Sequence, residues 1–358
     1  MHTLPATLLE TLVHATARAI GCPENEAGEM ARHLVGANLA GHDSHGVGML
    51  PDYVRLADVG LLVPGHEPET VLDMPALKIL DAGRGVGQWM AKRAMDIAVD
   101  GAREAGCCTL ALRNSSHVGR IGHYAEQCAR EGMVSIHFVN VADHAPLQAP
   151  FGCSDPRLGT NPFAVGLPGE DGPALVLDMA TSAIAFGKAR VARNKGVPVP
   201  AGALLDADGH PTTDPTVYVD TRKGALRSFG EHKGSGLAIV CEMLGGGLSG
   251  GLTIHPDHER RDGIVNSMLS IVIDAARLGG NRPFAQEVEA IKDYIRQSRI
   301  APGFDEILMP GEPEARSRAK RGRDGIPIDA RSLDDILAAA RQAGTDAAVI
   351  AEVEAARS

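Results

Sequence analysis

Apolar positions recur along this chain in two patterns, a helical period and short β-branched runs. Leu8, Leu9, Leu12, Val13 and Ile20 follow the helical period from Thr7, which stands in capping-box spacing to Glu10, up to Gly21. Pro23 opens a second helix that ends near Ala40-Gly41, and a third runs from about Val47 to Leu56. Thr70–Asp73 and Leu77–Asp81 read as short strands before a helix from about Gln88 to Ala105. The strands Cys107–Leu112 and Met133–Val139 flank a helical segment, Ile121–Arg130, and the strands Phe163–Leu167 and Ala174–Asp178 follow. Asp178-Met-Ala-Thr-Ser182 is expected to open a helix carrying Lys188, Arg190, Arg193 and Lys195.

The second half is more broken. Val197–Pro215, rich in Pro, Gly and Asp, predicts a long surface loop. Gly230–Gly236 precedes a helix ending at Gly245–Gly247. A strand at Ser267–Ile273, an amphipathic helix at Pro283–Ser298, a short strand at Glu306–Met309 and two Ala-rich helices, Leu333–Gln342 and Thr345–Ala356, complete the pattern. Strand–helix alternation fails at 159–178, which predicts α+β with a mixed sheet rather than a doubly wound fold.

Composition narrows the partners. The 358 residues allow a sizeable core, with 44% hydrophobic and 22% charged residues. A net charge of −10 and 3% aromatics argue against nucleic acid and anionic membranes. No run approaches the roughly 18 apolar residues of a membrane span, and Met1–Glu10 lacks a signal-peptide core. Six cysteines without a C-x-x-C pair point to a reducing cytoplasm and no disulfide framework.

Three polar junctions carry the candidate chemistry: 42–46, 114–124 and 230–236, each with a histidine beside glycine. In the second, His117 can exchange a proton near neutral pH, and Arg120 can grip a carboxylate in two-pronged fashion. Convergence of the three would make a cleft suited to proton-coupled chemistry on a carboxylate, whether hydride transfer, isomerisation or lyase chemistry. Gly83-Arg-Gly85-Val-Gly87 imitates a dinucleotide fingerprint, but its third glycine comes one residue early and Gln88 follows. The His42/His45 and His255/His258 pairs offer H-x-x-H spacing for a metal-dependent lyase or hydrolase, without the third and fourth ligands zinc requires. No phosphate-binding G-x-x-x-x-G-K-[ST] loop is present.

Taken in order, His42–Tyr53, Asn114–Tyr124, Gly159–Phe163, Asp178–Ser182, Gly230–Gly236 and Pro310–Glu314 resemble the malate/L-lactate dehydrogenase family that is distinct from Rossmann-type enzymes. Gly41–Met49 and Ala192–Pro198 are most similar to its hydroxycarboxylate dehydrogenase branch. The resemblance implies an oxidoreductase interconverting 2-oxo and 2-hydroxy carboxylates with NAD, or alternatively NADP. It implies a central domain (71–299) with a mixed, largely antiparallel, cofactor-binding sheet. A helical, dimerising domain from both ends (1–70 with 300–358) flanks it, in a homodimer.

The site residues carry over by position. His117 matches the acid/base, with His45 and Asp178 as its catalytic neighbours. The cofactor positions are His45, Gly119, Arg120, Ile121, Asp178, Met179, Ala180, Thr181, Ser182, His232, Lys233, Asn266, Gly311, Glu312, Pro313 and Glu314. Substrate positions are His45, Met49, Tyr53 and Arg120, and no metal is implied. Met49 stands where many members carry a carboxylate-binding arginine. That leaves Arg120 as its replacement or the substrate held differently, and favours 2-oxo monocarboxylates. Glu312 and Glu314, if they face the ribose, favour NAD. A non-catalytic NAD(H)-binding protein on the same scaffold is the remaining alternative.

Overall fold

The computed structural model describes residues 1–221, 223–278 and 283–357. The chain begins with β1 (His2–Leu4), α1 (Ala6–Ala19), α2 (Glu24–Leu39) and α3 (Leu50–Asp58). β2 (Glu69–Met74), β3 (Leu77–Asp81), α4 (Gly87–Ala105), β4 (Cys107–Ser116), α5 (Gly122–Arg130), β5 (Met133–Ala142), β6 (Phe163–Gly169) and β7 (Gly172–Met179) build most of the central sheet. A small lobe follows: α6 (Phe186–Lys195), β8 (Leu204–Leu205), β9 (Pro211–Thr212), α7 (Thr216–Val219) and β10 (Ala225–Leu226). α8 (His232–Cys241) runs on into a π-helical segment, Glu242–Leu248. β11 (Val265–Asp274), α9 (Phe284–Arg296), α10 (Glu312–Asp324), β12 (Ile326–Ile328), α11 (Ala330–Ala343) and α12 (Ala347–Ala355) close the chain.

The main sheet has the order β2-β3-β4-β11-β5-β6-β7, and only β3 and β4 run parallel. It is the mixed sheet of an α+β fold that the broken alternation predicts, and it is largely antiparallel, as the family resemblance implies. β11 is its middle strand, paired with β4 on one side and β5 on the other. Residues 265–270 of β11 are all buried, because α4 covers one face and the π-helical segment the other. α4 earns its place with Met90, Ala91, Ala94, Met95, Ala98 and Ala102, one apolar stripe at helical spacing. α5 packs so closely on β6 that a Cβ at Gly166 would lie 2.4 Å from the Ala125 carbonyl oxygen.

Both chain ends share one core. Leu9, Leu12, Met30, Leu34, Leu50, Tyr53 and Leu56 pack with Ile326, Leu333, Ile336, Leu337 and Val353. The antiparallel β1–β12 pair and a Thr345–Thr16 hydroxyl bond of 3.0 Å tie the ends further. Asp329 and Asp346 cap α11 and α12 by accepting from Ser332 N and Ala348 N. Among the described residues, no helix is long and apolar enough to cross a membrane.

Several sequence expectations need correction. The Thr7/Glu10 capping box is not used; Pro5 precedes α1, and Thr7 already lies inside it. Asp178 and Met179 end β7, and α6 starts only at Phe186, so no helix opens at 178–182. The 197–215 stretch is not simply a loop. It carries β8 and β9, whose two-residue length leaves no readable period, over a small core of Val199, Ala203, Leu204, Tyr218 and Leu226. Glu306–Met309 is irregular. α10 escapes pattern reading because none of its residues is buried.

Leu337 is fully buried where the two ends meet. Leu337→Ala is expected to lower stability by about 2–5 kcal/mol, read from urea unfolding.

Candidate active site

β4 runs to Ser116, four residues past the predicted Leu112, because β11 pairs with it that far. A bulge between Asn266 and Met268 shifts the register there. Asn266 then accepts from Val118 N at 2.9 Å through Oδ1 and donates to the Asn140 carbonyl at 2.8 Å through Nδ2. Its amide therefore fixes the turn that presents His117. The Tyr53 hydroxyl lies 2.8 Å from His117 Nδ1, and Gln88 Nε2 donates to that hydroxyl at 2.7 Å and to the His117 carbonyl at 3.1 Å. Tyr53 and Gln88 are each 1% exposed. With Gln88 donating to it, the Tyr53 hydroxyl can still either donate to Nδ1 or accept from Nδ1–H, so it serves both neutral tautomers of the ring. Tyr53, expected at the substrate, is the partner of His117.

His45 ends a 3-10 turn, Asp43–His45, that follows α2. Asn38 braces this turn by donating to Asp43 at 2.7 Å and accepting from Val47 N at 2.8 Å. Ser44 Oγ lies 3.1 Å from His45 Nδ1. The His45 and His117 rings stack at 5.8 Å with 17° between planes. Burial pushes His45 down to about 4, with the Asp178 carboxylate pulling upward and His42 and Arg120 adding to the fall. Burial pushes His117 down to about 3, helped by His45 and His144. Both rings are therefore neutral at pH 7.

Arg120 is not free. Its peptide N–H donates to His33 Nε2 at 2.8 Å. Its guanidinium is 3% exposed, between Glu126 at 2.8 Å and Asp178 at 3.1 Å. Burial opposes its charge, but Asp178 and Glu126 more than offset that and hold it protonated. The expectation that Arg120 replaces the missing arginine by gripping a substrate carboxylate meets a side chain already committed to two protein carboxylates. Gly119 sits at φ +77, and a Cβ there would strike His33 Nε2 at 2.3 Å, so glycine is required on both counts. Met49 is half-buried against the shared core and adds no cation.

The remaining candidates divide. Thr181 is fully buried and bonded to the Thr160 carbonyl at 2.8 Å, whereas Ser182 Oγ is buried without a partner. Met179 and Ala180 are half-buried beside them, and Ile121 is part of the sheet core. His232 stands edge-on to Phe151 at 5.8 Å, and it and Lys233 are exposed at the start of α8. Gly311 packs against the Val176 backbone. Pro313 lies in the first turn of α10, and Glu312 turns back to accept from Met309 N at 2.9 Å while pairing with Arg296. Glu314 bonds His42 Nε2 at 2.9 Å. Both carboxylates thus have protein partners, and the ribose argument loses its two free acceptors.

The His-x-x-His pairs do not assemble ligands. His42 goes to Glu314, His45 to Ser44, and His258 Nδ1 accepts from Thr253 N at 3.0 Å. Among the described residues, ligand atoms approach metal spacing at Glu29/His33/His123 and at Asp206/Asp208/His210, which include neither pair. Sequence reading missed Gln88, seen only as a flaw in a fingerprint, and His33 and Glu126, which look like ordinary helix residues.

The family model for malate/L-lactate dehydrogenase matches residues 4–337. The chain is 47% identical over 347 residues to hydroxycarboxylate dehydrogenase B of Escherichia coli (strain K12), covering 96% of this chain and 95% of that protein. It is 42% identical over 299 residues to the L-lactate dehydrogenase of Cupriavidus necator, covering 83% and 86%. The solved sulfolactate dehydrogenase of Methanocaldococcus jannaschii superposes with a TM-score of 0.84 at 34% identity, over 96% of this chain and 98% of that one. Sheet order, motif order and these likenesses over nearly the whole length agree: the chain belongs to the malate/L-lactate dehydrogenase family.

Proposed function

We propose that the protein interconverts a 2-oxo and a 2-hydroxy carboxylate with a nicotinamide cofactor, and that His117 is its acid/base. The stacked His45–His117 pair carries this reading, since Tyr53 and Gln88 hold the second ring for one task. The relatives named above as hydroxycarboxylate, L-lactate and sulfolactate dehydrogenases support the reaction class.

The residues present suit the cofactor. Ser182 Oγ is buried without a partner, and Asp178 Oδ2 and Arg120 Nε form an ion pair not aligned as a hydrogen bond. Polar atoms left open on one turn are what an incoming amide or ribose would satisfy. Gly119–Ile121 and Asp178–Ser182 would hold the cofactor, with His232, Lys233 and Gly311–Glu314 as its outer contacts. When bound, it supplies or accepts the hydride. His117 Nε2 gives a proton to the carbonyl oxygen in reduction and removes the hydroxyl proton in oxidation. Through the step Nδ1 keeps its proton and donates it to the Tyr53 hydroxyl, so Nε2 is free to give and take the other. Arg120 orients Asp178. A second reading gives the proton to His45, because the Asp178 charge favours its imidazolium.

The homodimer is also part of this proposal. Ile239, Val240, Met243 and Leu248 are 42%, 42%, 59% and 66% exposed along α8 and its π-helical continuation. That apolar face, rather than the helical end domain, suits a second copy.

His117→Ala is expected to lower kcat by roughly 10²–10⁴-fold with hydroxypyruvate, pyruvate or oxaloacetate, while NADH fluorescence titration shows binding retained. Equal loss of NADH binding would assign the residue to the cofactor. The depressed value of His117 gives the pH signs. Oxidation, which needs the neutral ring, should be flat in kcat/KM from pH 5 to 9 as far as this group is concerned. Reduction, which needs the protonated ring, should fall as pH rises through the same range. If these slopes survive in His117→Asn and vanish in His45→Asn, the second reading holds. Pairing Met243→Glu with Leu248→Asp should convert dimer to monomer in sedimentation velocity; an unchanged coefficient would move the interface elsewhere.

A further inference from the structure

β4 and β5 flank β11 and run in the same direction. Val265 pairs with Ser116 on one side and Ala142 on the other, so both outer strands end level with it. His117 lies one residue beyond the first end and His144 two beyond the second. Two strand spacings, about 9–10 Å, separate the ends. A short carboxylic acid can span such a gap with a hydrogen bond at each end.

The fold spends strain on placing His144. Asp143, just before it, has φ 68, and Arg84 and Asn114 have φ 64 and φ 55. These three residues are joined. Arg84 N donates to the Asn114 carbonyl at 2.7 Å, and its guanidinium donates to Asp143 at 2.8 Å. Arg261 N donates to the other Asp143 oxygen at 2.8 Å. One arginine therefore sets the turn before His117 and the turn before His144 relative to each other. His144 Nδ1 donates to the Ala145 carbonyl at 2.6 Å, which fixes the tautomer and leaves Nε2 as an acceptor. That Nε2 is buried and has no partner.

We propose that His144 Nε2 is the specificity contact for the substrate side chain, accepting from a hydroxyl on the carbon beside the reacting carbonyl. The class selected is 3-hydroxy-2-oxo monocarboxylates. A second carboxylate at that position would present lone pairs to the Nε2 lone pair and is disfavoured. The proposal rests on the dehydrogenase reading and sharpens it. Burial also keeps the ring from gaining a proton, so it serves as an acceptor and not as a cation.

The test compares hydroxypyruvate with pyruvate, its analogue lacking the hydroxyl, with NADH. Wild type should prefer hydroxypyruvate in kcat/KM. His144→Phe should lose roughly ten- to hundredfold on hydroxypyruvate and change less than about threefold on pyruvate. His144→Gln, which restores a carbonyl acceptor, should recover most of the preference. Thermal melting checks that each variant is folded, and His144→Leu replaces the Phe variant if that one is not. Equal losses on both substrates, or a change confined to the NADH KM, overturn the proposal. Pyruvate turnover by wild type without any preference overturns it alone, whereas no turnover of any 2-oxo acid overturns the dehydrogenase reading with it.

Discussion

The buried guanidinium of Arg120 is the constraint on which the site depends. A charge at 3% exposure is tolerable only with partners. Those partners come from separate parts of the chain: Glu126 from α5 and Asp178 from the end of β7. Glu126 in turn brings Arg318 of α10 to 2.6 Å, and the Arg120 peptide N–H reaches His33 on α2. Helical core, sheet edge and C-terminal helix thus meet at one residue. Removing one member of such a pair costs about 3–5 kcal/mol, because the other charge is left buried alone. The turn 117–121 is therefore held from both ends, by Asn266 through Val118 and by this knot through Arg120.

The two histidines show how burial and hydrogen bonds divide labour. Burial dominates both rings and keeps them neutral. The difference lies in what each ring faces. His117 faces a hydroxyl that can donate or accept, which suits the proton exchange proposed for it. His45 has Ser44 at Nδ1 and the field of the Asp178 carboxylate, which works against the effect of burial.

Much of this was legible in the sequence. α4, β4, α5, β5 and β11 carry enough apolar period or β-branched content to be found where they are. His117 and His45 stand in polar junctions that mark strand and helix ends, and Asn266 was reached only through the family resemblance. The rest was hidden for definite reasons. α10 has no buried face, and β1, β8, β9, β10 and β12 are two or three residues long. Gln88 and Tyr53 lie inside regular helices, where only tertiary contact reveals that they hold His117. Arg120 looked available because the sequence shows its charge and not the carboxylates folded onto it from residues 126 and 178.

The core shared by the two ends bears on synthesis. α1, α2 and α3 emerge from the ribosome with apolar faces whose cover, residues 326–353, is made much later. At 5–20 residues per second that interval lasts roughly 15–60 s. During it the nascent chain carries an open greasy surface beside an unfinished cleft, a natural target for holdase chaperones. His45 and Tyr53 lie on or beside those waiting helices, so the cleft is completed only after residues 326–353 have been made.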